Sequence, residues 1–142
     1  MTEKKKTEGF DLSQLDTSVK SADGVEFELK HPVTGDPLGS YVTVCGQDSD
    51  RYRDAKDDAA EKLRKGQMED GRKFNSPSDV SDLLMETAIR SVVGWRDIID
   101  SGSDVKFSVP NVRKILEKYR FFVGQIVEAV NDRGRFLPGD NG

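Results

Sequence analysis

The clearest pattern in the chain is a two-residue alternation at 25–30. Val25, Phe27 and Leu29 fall on one side, and Glu26, Glu28 and Lys30 on the other. This is the signature of a half-buried strand. The turn-rich string His31-Pro32-Val33-Thr34-Gly35-Asp36-Pro37 follows. Ser40-Tyr41-Val42-Thr43-Val44-Cys45 comes next, rich in β-branched and aromatic side chains and closed by Gly46. Together these stretches predict an antiparallel hairpin over 25–46 with a loop longer than two residues.

Beyond 46 the period lengthens to that of a helix. Asp48 reads as an N-cap, with Asp50 in the first turn. The helix it opens, over about 48–66, has a narrow apolar stripe of Tyr52, Ala55, Ala59 and Leu63. Gly71-Arg72-Lys73-Phe74-Asn75 reads as a loop, and Ser76 as the cap of a second helix with Pro77 at its first position. Val80, Leu83, Leu84, Ala88, Val92, Trp95, Ile98 and Ile99 fit one wide face and predict a helix over 78–99, with Gly94 as a point for a kink or break. Ser108 caps a third helix, with Pro110 tolerated in its first turn. Val112, Ile115, Leu116, Tyr119, Phe122, Val123, Ile126, Val127 and Val130 extend it over 109–131, with a pause near Tyr119–Phe121.

Ahead of the hairpin, Phe10, Leu12 and Leu15 dot a short stretch that reads either as one helical turn or as an arm docking its three apolar side chains. Residues 1–9 read as a disordered tail and 138–142 as a loose end. The expected architecture is α+β: one domain over 10–137, with an N-terminal antiparallel β-hairpin packed on a mostly helical domain. The helices at 78–99 and 109–131 are expected to form the main core.

Composition narrows the function classes. Of 142 residues, 35% are hydrophobic and 34% charged, so the core is thin. The net charge of −4 leaves no surplus to neutralise phosphates, which argues against nucleic acid. Cys45 is the only cysteine, so no disulfide framework is available. No apolar run nears the roughly 20 residues that span a bilayer. The opening Met1-Thr2-Glu3-Lys4-Lys5-Lys6 has charge but no apolar segment behind it, unlike a signal peptide. A soluble, intracellular protein is expected, with neither nucleic acid nor membrane as partner. Charge concentrates in 48–73, with eight acidic and eight basic residues. Asp58 with Lys62 and Glu61 with Lys65 have the favourable i,i+4 order, which suggests a solvated, ion-paired face.

No catalytic constellation emerges. His31 has no second histidine to share a metal. Cys45 as a nucleophile needs a histidine base, and nothing orients His31 as a third group would. Glycines at 35, 39 and 46 form neither GxxxxGK[ST] nor GxGxxG. The expectation is a non-enzyme with no catalytic residue, cofactor or metal. The candidate protein-interaction residues are Trp95, Phe121 and Phe122. Phe121 and Phe122 are adjacent, so they cannot both face one core, and one of them is free to meet a partner.

Three ordered stretches carry a family resemblance. The first is His31-Pro32-Val33-Thr34-Gly35-Asp36-Pro37-Leu38-Gly39, with Val42-Thr43-Val44-Cys45-Gly46-Gln47-Asp48-Ser49 and Tyr52-Arg53. The second is Val92-Val93-Gly94-Trp95 with Ile98. The third runs from Phe107-Ser108-Val109-Pro110-Asn111-Val112-Arg113 through Ile115-Leu116 and Gln125-Ile126-Val127 to Asn131-Asp132-Arg133 and Phe136-Leu137. This order, over roughly residues 25–137, resembles the tail assembly chaperones of long-tailed, siphovirus-type bacteriophages. The resemblance implies a non-catalytic protein of the host cell cytoplasm, absent from the mature virion. It implies binding to the tape measure protein, which it keeps soluble, and promotion of tail tube protein polymerisation around that client. It also implies self-association or a frameshifted longer form. The alternative from a different class is a structural virion protein, such as a head–tail connector or tail completion protein.

Overall fold

The computed structural model describes residues 9–70 and 77–139. The tail over residues 1–8, the loop at 71–75, the Ser76 cap and residues 140–142 lie outside the described residues.

The architecture is α+β, a small antiparallel sheet packed against helices. A 3-10 turn at Leu12–Leu15 and a short helix α1 (Ser18–Asp23) lead into β1 (Val25–Lys30) and β2 (Pro37–Val44). The hairpin loop is tied by His31, whose backbone N–H donates to Asp36 O at 2.8 Å and whose O accepts from Gly35 N–H at 2.9 Å. The imidazole Nδ1 also accepts from the N–H groups of Val33 and Thr34. The lone histidine is thus a turn residue.

Helix α2 (Asp50–Asp70) and helix α3 (Pro77–Ser91) follow. The cap of α2 differs from expectation. Ser49, not Asp48, accepts the Tyr52 N–H on its hydroxyl, at 3.1 Å. The Asp48 carboxylate is claimed instead by Arg133, through two bonds of 2.8 and 2.9 Å, and by the Thr17 hydroxyl at 2.6 Å. The charges of α2 also pair differently. Asp58 bonds Arg90 of α3 at 2.9 Å rather than Lys62 of its own helix, and Lys62 approaches Glu86 of α3 at 4.0 Å. Glu61 meets Arg64 rather than Lys65. A helix lying alongside offers a partner that sequence spacing does not reveal.

The main correction concerns 78–99. The helix stops at Ser91, and Val92–Arg96 is a strand, β3, antiparallel to β2. The β-branched Val92-Val93 pair suits extended backbone, and Gly94 is a poor helix former. The edge of β2 supplies the ladder that makes it stable. Registers align Phe27 with Val42 and Val42 with Trp95 across the inner face, and Glu28 with Tyr41 and Tyr41 with Arg96 across the outer one. On that outer face the Arg96 guanidinium lies 4.0 Å from the Tyr41 ring centroid and bonds Glu26 through two nitrogens.

A two-residue-stranded hairpin comes next, β4 (Ile99–Asp100) and β5 (Ser103–Asp104), turning at Ser101 and Gly102, which have φ of 55° and 82°. Helix α4 (Val109–Lys118) is capped as expected: the Ser108 hydroxyl accepts the Asn111 N–H at 3.1 Å. The expected pause is a full break, because α5 (Phe121–Asn131) is a separate helix, and a 3-10 turn at Arg133–Phe136 ends the described fold.

One core joins these elements. Phe27, Leu29, Val42 and Val44 of the sheet meet Ala88, Ile89, Val112, Leu116, Ile126 and Val130 of α3, α4 and α5, with Phe136 closing one end. The buried apolar residues of α3 are Met85, Ala88 and Ile89; Val80 and Leu84 are exposed. Apolar residues occur on two sides of this helix, and only the position of α4 and α5 selects the inner one. Of the two readings of the stretch holding Phe10, Leu12 and Leu15, the helical turn is found, at Leu12–Leu15, and the docked arm is not, since all three side chains are exposed.

Candidate functional site

The break between α4 and α5 brings three aromatics to one corner. Tyr119 leaves the helix with φ −118° and ψ 67°, and its N–H still bonds Ile115 O at 2.8 Å. Phe122 N–H then bonds Tyr119 O at 3.0 Å, starting α5 at once. Phe121 and Phe122 therefore sit edge to face, with centroids 4.7 Å apart, and Tyr119 lies 6.1 and 6.4 Å from them.

This corner and the tip of the β1–β2 hairpin form an apolar groove of about 260 Å³, to which Pro32, Leu38, Ile99, Tyr119, Phe121 and Phe122 contribute. Phe121 is 49% exposed and Ile99 66%. The rim is anchored by Asp100, which accepts from the Tyr119 hydroxyl at 2.6 Å and from Lys118 at 3.0 Å. Those two hydrogen bonds, Tyr119 first, hold its carboxyl below the usual carboxylate range. The ionised Asp100 thus fastens the β4–β5 hairpin to the end of α4 and neutralises Lys118 beside the apolar surface.

Of the three sequence candidates, Phe121 and Phe122 meet at this groove and Trp95 does not. Trp95 is half-buried on β3, with its indole N–H donating to Val105 O at 2.9 Å and its ring edge-on to Phe107 at 5.8 Å. It faces inward, where Trp95 and Phe122 line one small void of about 10 Å³. Phe122 therefore belongs to both the core and the groove, and Phe121 to the surface. Sequence reading missed Pro32, Leu38 and Ile99 as groove residues. No local signal marks them, because the groove is assembled from segments around 29–40 and 98–122.

His31 and Cys45 are not brought together. Lys30 pairs with Pro37 at one end of the hairpin and Val25 with Val44 at the other, so the two residues sit at opposite ends. Cys45 is fully buried. Among the described residues, no group of three His, Cys, Asp or Glu side chains could hold a metal ion. Among them, no helix is long and apolar enough to cross a membrane. The groove, of about 260 Å³, has a mainly apolar lining with room for one or two apolar side chains.

No protein-family model, curated protein or solved structure matches the chain.

Proposed function

We propose that this protein is a non-catalytic assembly chaperone of the phage-tail type. It binds the tape measure protein in the host cytoplasm, keeps it soluble and promotes tail tube polymerisation around it. The observation that carries this reading is the aromatic groove: an apolar, half-open surface on a firm core, exposed at Phe121 and Ile99. The ordered motifs at 31–53, 92–98 and 107–137 support it through their resemblance to the tail assembly chaperones.

The physical argument concerns avidity. A long helical client with repeated apolar side chains needs many weak contacts rather than one tight one. A groove for one or two side chains gives weak binding per copy, and repeated sites along one client multiply it. The charged faces of α2 and the outer face of the sheet keep the loaded complex in solution.

Co-expression with the tape measure protein encoded in the same genome tests the reading. The expected result is a soluble complex that co-purifies, with the client insoluble when expressed alone. A client that gains no solubility and does not co-purify overturns it. Mass spectrometry of purified virions addresses the structural-protein alternative, because a chaperone is expected to be absent and a connector present in stoichiometric amount.

A further inference from the structure

The first described segment is built inside out. Thr17 and Ser21 face the protein, at 8% and 0% exposure, while Leu12 and Val19 are 72% and 65% exposed and Phe10 and Leu15 are exposed with them. The polar inward side has a local cause. Thr17 donates to Asp48, and Ser21 lies so close to Gly46 that a Cβ there would fall 2.3 Å from the serine oxygen. The apolar outward side has no such cause within one chain. An exposed apolar patch of this kind marks a contact surface. The arm is also held in shape, since Asp11 and Asp16 accept the N–H groups of Ser13 and Ser18. Docking it therefore costs little ordering.

A receptor of matching chemistry lies between α3 and α5. This groove of about 450 Å³ is lined by Leu84, Met85, Val123 and Val127, with Gly124 among them and Arg120 and Glu128 as its charged residues. Leu84 on its α3 side is exposed. Arg120 and Glu128 are eight positions apart along α5, roughly 12 Å, and neither is in an ion pair among the described residues. An acidic segment is therefore drawn to the Arg120 end and turned away from the Glu128 end. The arm carries two such acids, Asp11 and Asp16, between its apolar residues.

We propose that the arm Phe10–Val19 of one copy docks in the α3–α5 groove of a second copy, acids toward Arg120, and that the two copies exchange arms reciprocally. As folded, the arm's apolar side chains stay exposed and so do not fill the groove of their own chain. The area argues for exchange. Burying four side chains of this size removes roughly 300–500 Å² from water. One arm alone therefore falls well short of the roughly 1,200–2,000 Å² that a stable pair buries. Exchange of two arms doubles the contact under two-fold symmetry. The arm lies at the Gly46 end of the β1–β2 hairpin, away from the client groove at its tip, while Arg120 of the receptor groove adjoins Tyr119 and Phe121.

Analytical ultracentrifugation of the full chain over a wide concentration range is the test. The expected result is a reversible monomer–dimer equilibrium. Leu12→Asp with Val19→Asp on the arm, and separately Leu84→Asp in the groove, should each weaken dimerisation by at least about tenfold. All of these positions are exposed, so unfolding temperatures of the dilute variants should stay near that of the unaltered protein. Asp16→Arg and Arg120→Asp should each weaken the dimer alone and restore it together. A protein that stays monomeric at every concentration overturns the proposal. So does a dimer indifferent to the arm substitutions, which would place the contact on another surface.

Discussion

The Gln125 carboxamide of α5 bonds both backbone groups of Lys30: it accepts the N–H and donates to the carbonyl, each at 2.9 Å. A side chain thereby takes the place of a further strand at the outer edge of β1. This satisfies ladder groups that an open edge would offer to another chain. It also ties α5, which carries Phe121 and Phe122, to the hairpin whose tip forms the other wall of the aromatic groove.

Replacing Gln125 tests that tie. Gln125→Ala should cost about 1 kcal/mol, because the freed Lys30 groups are accessible to water and a net hydrogen bond is worth about that much. The expected drop in melting temperature is about 4 °C. Gln125→Glu keeps the acceptor but turns a carboxylate oxygen toward the Lys30 carbonyl, so it should rescue less than half of the loss. Calorimetry measures both, and hydrogen exchange at Lys30 should quicken in each.

Phe121 and Phe122 should separate binding from folding. Phe121→Asp changes an exposed side chain, so stability should move by no more than about 0.5 kcal/mol while client co-purification falls. Phe122→Ala removes a ring packed on the core and should cost about 2–4 kcal/mol. Denaturant melts combined with pull-down distinguish the two. Equal stability losses would show that Phe121 is a core residue.

Trp95 should behave as a structural residue. Trp95→Phe deletes the donor to the Val105 carbonyl and should cost about 1–2 kcal/mol. Trp95→Ala should cost about 3 kcal/mol, the low end for a large aromatic because the ring is only half-buried. Client binding at temperatures where the Phe variant is folded should be unchanged.

The Asp48–Arg133 pair predicts a pH dependence. Hydrogen bonds from Arg133 first, and from Thr17, hold the Asp48 carboxyl down to about 2 from 3.8. A depressed folded-state value means the stabilisation is fully present above about pH 4 and disappears as pH falls through about 2. Arg133 is mostly exposed, and solvent screening reduces the contribution to about 1 kcal/mol. Asp48→Asn should therefore destabilise by about that amount at pH 7 and by close to nothing at pH 2. Denaturant titrations at the two pH values measure the difference.

Two glycines should respond in opposite directions. A Cβ on Gly46 would fall 2.9 Å from Ser21 Cβ and 3.0 Å from Phe136 Cδ1, so Gly46→Ala should cost about 2–3 kcal/mol by forcing α1 and the C-terminal turn apart. Gly124 lies inside α5 with nothing within 4 Å of a built Cβ. Gly124→Ala should stabilise by about 0.5–1 kcal/mol, by lowering the entropy of the unfolded chain. Chemical denaturation of the two single variants checks both signs.

Much of the fold was legible in the sequence where short-range chemistry sets the outcome. Alternation over 25–30 and β-branched residues at 40–45 gave the hairpin, because side-chain direction in a strand depends only on neighbouring positions. The Ser108 cap and the stripe from Val112 to Val130 gave the helical run over 109–131, because capping and helical periodicity act within a few residues, though its full break into α4 and α5 read only as a pause. The adjacency of Phe121 and Phe122 alone required that one of them turn away from the core, and the structure identifies Phe121.

Tertiary structure decided what competing partners claim. Val92–Arg96 fitted a helical face as well as a strand, and the unpaired edge of β2 made it a strand. Asp48 had the chemistry of a cap, but Arg133, 85 residues away in the chain, took its carboxylate and left the capping to Ser49. The aromatic groove joins Leu38, Ile99 and Phe121, and no periodicity connects residues so far apart. By itself the sequence determined which conformations each segment could adopt. Only the packed structure decided which face of each segment meets a neighbour, because that depends on which side chains arrive there from elsewhere in the chain.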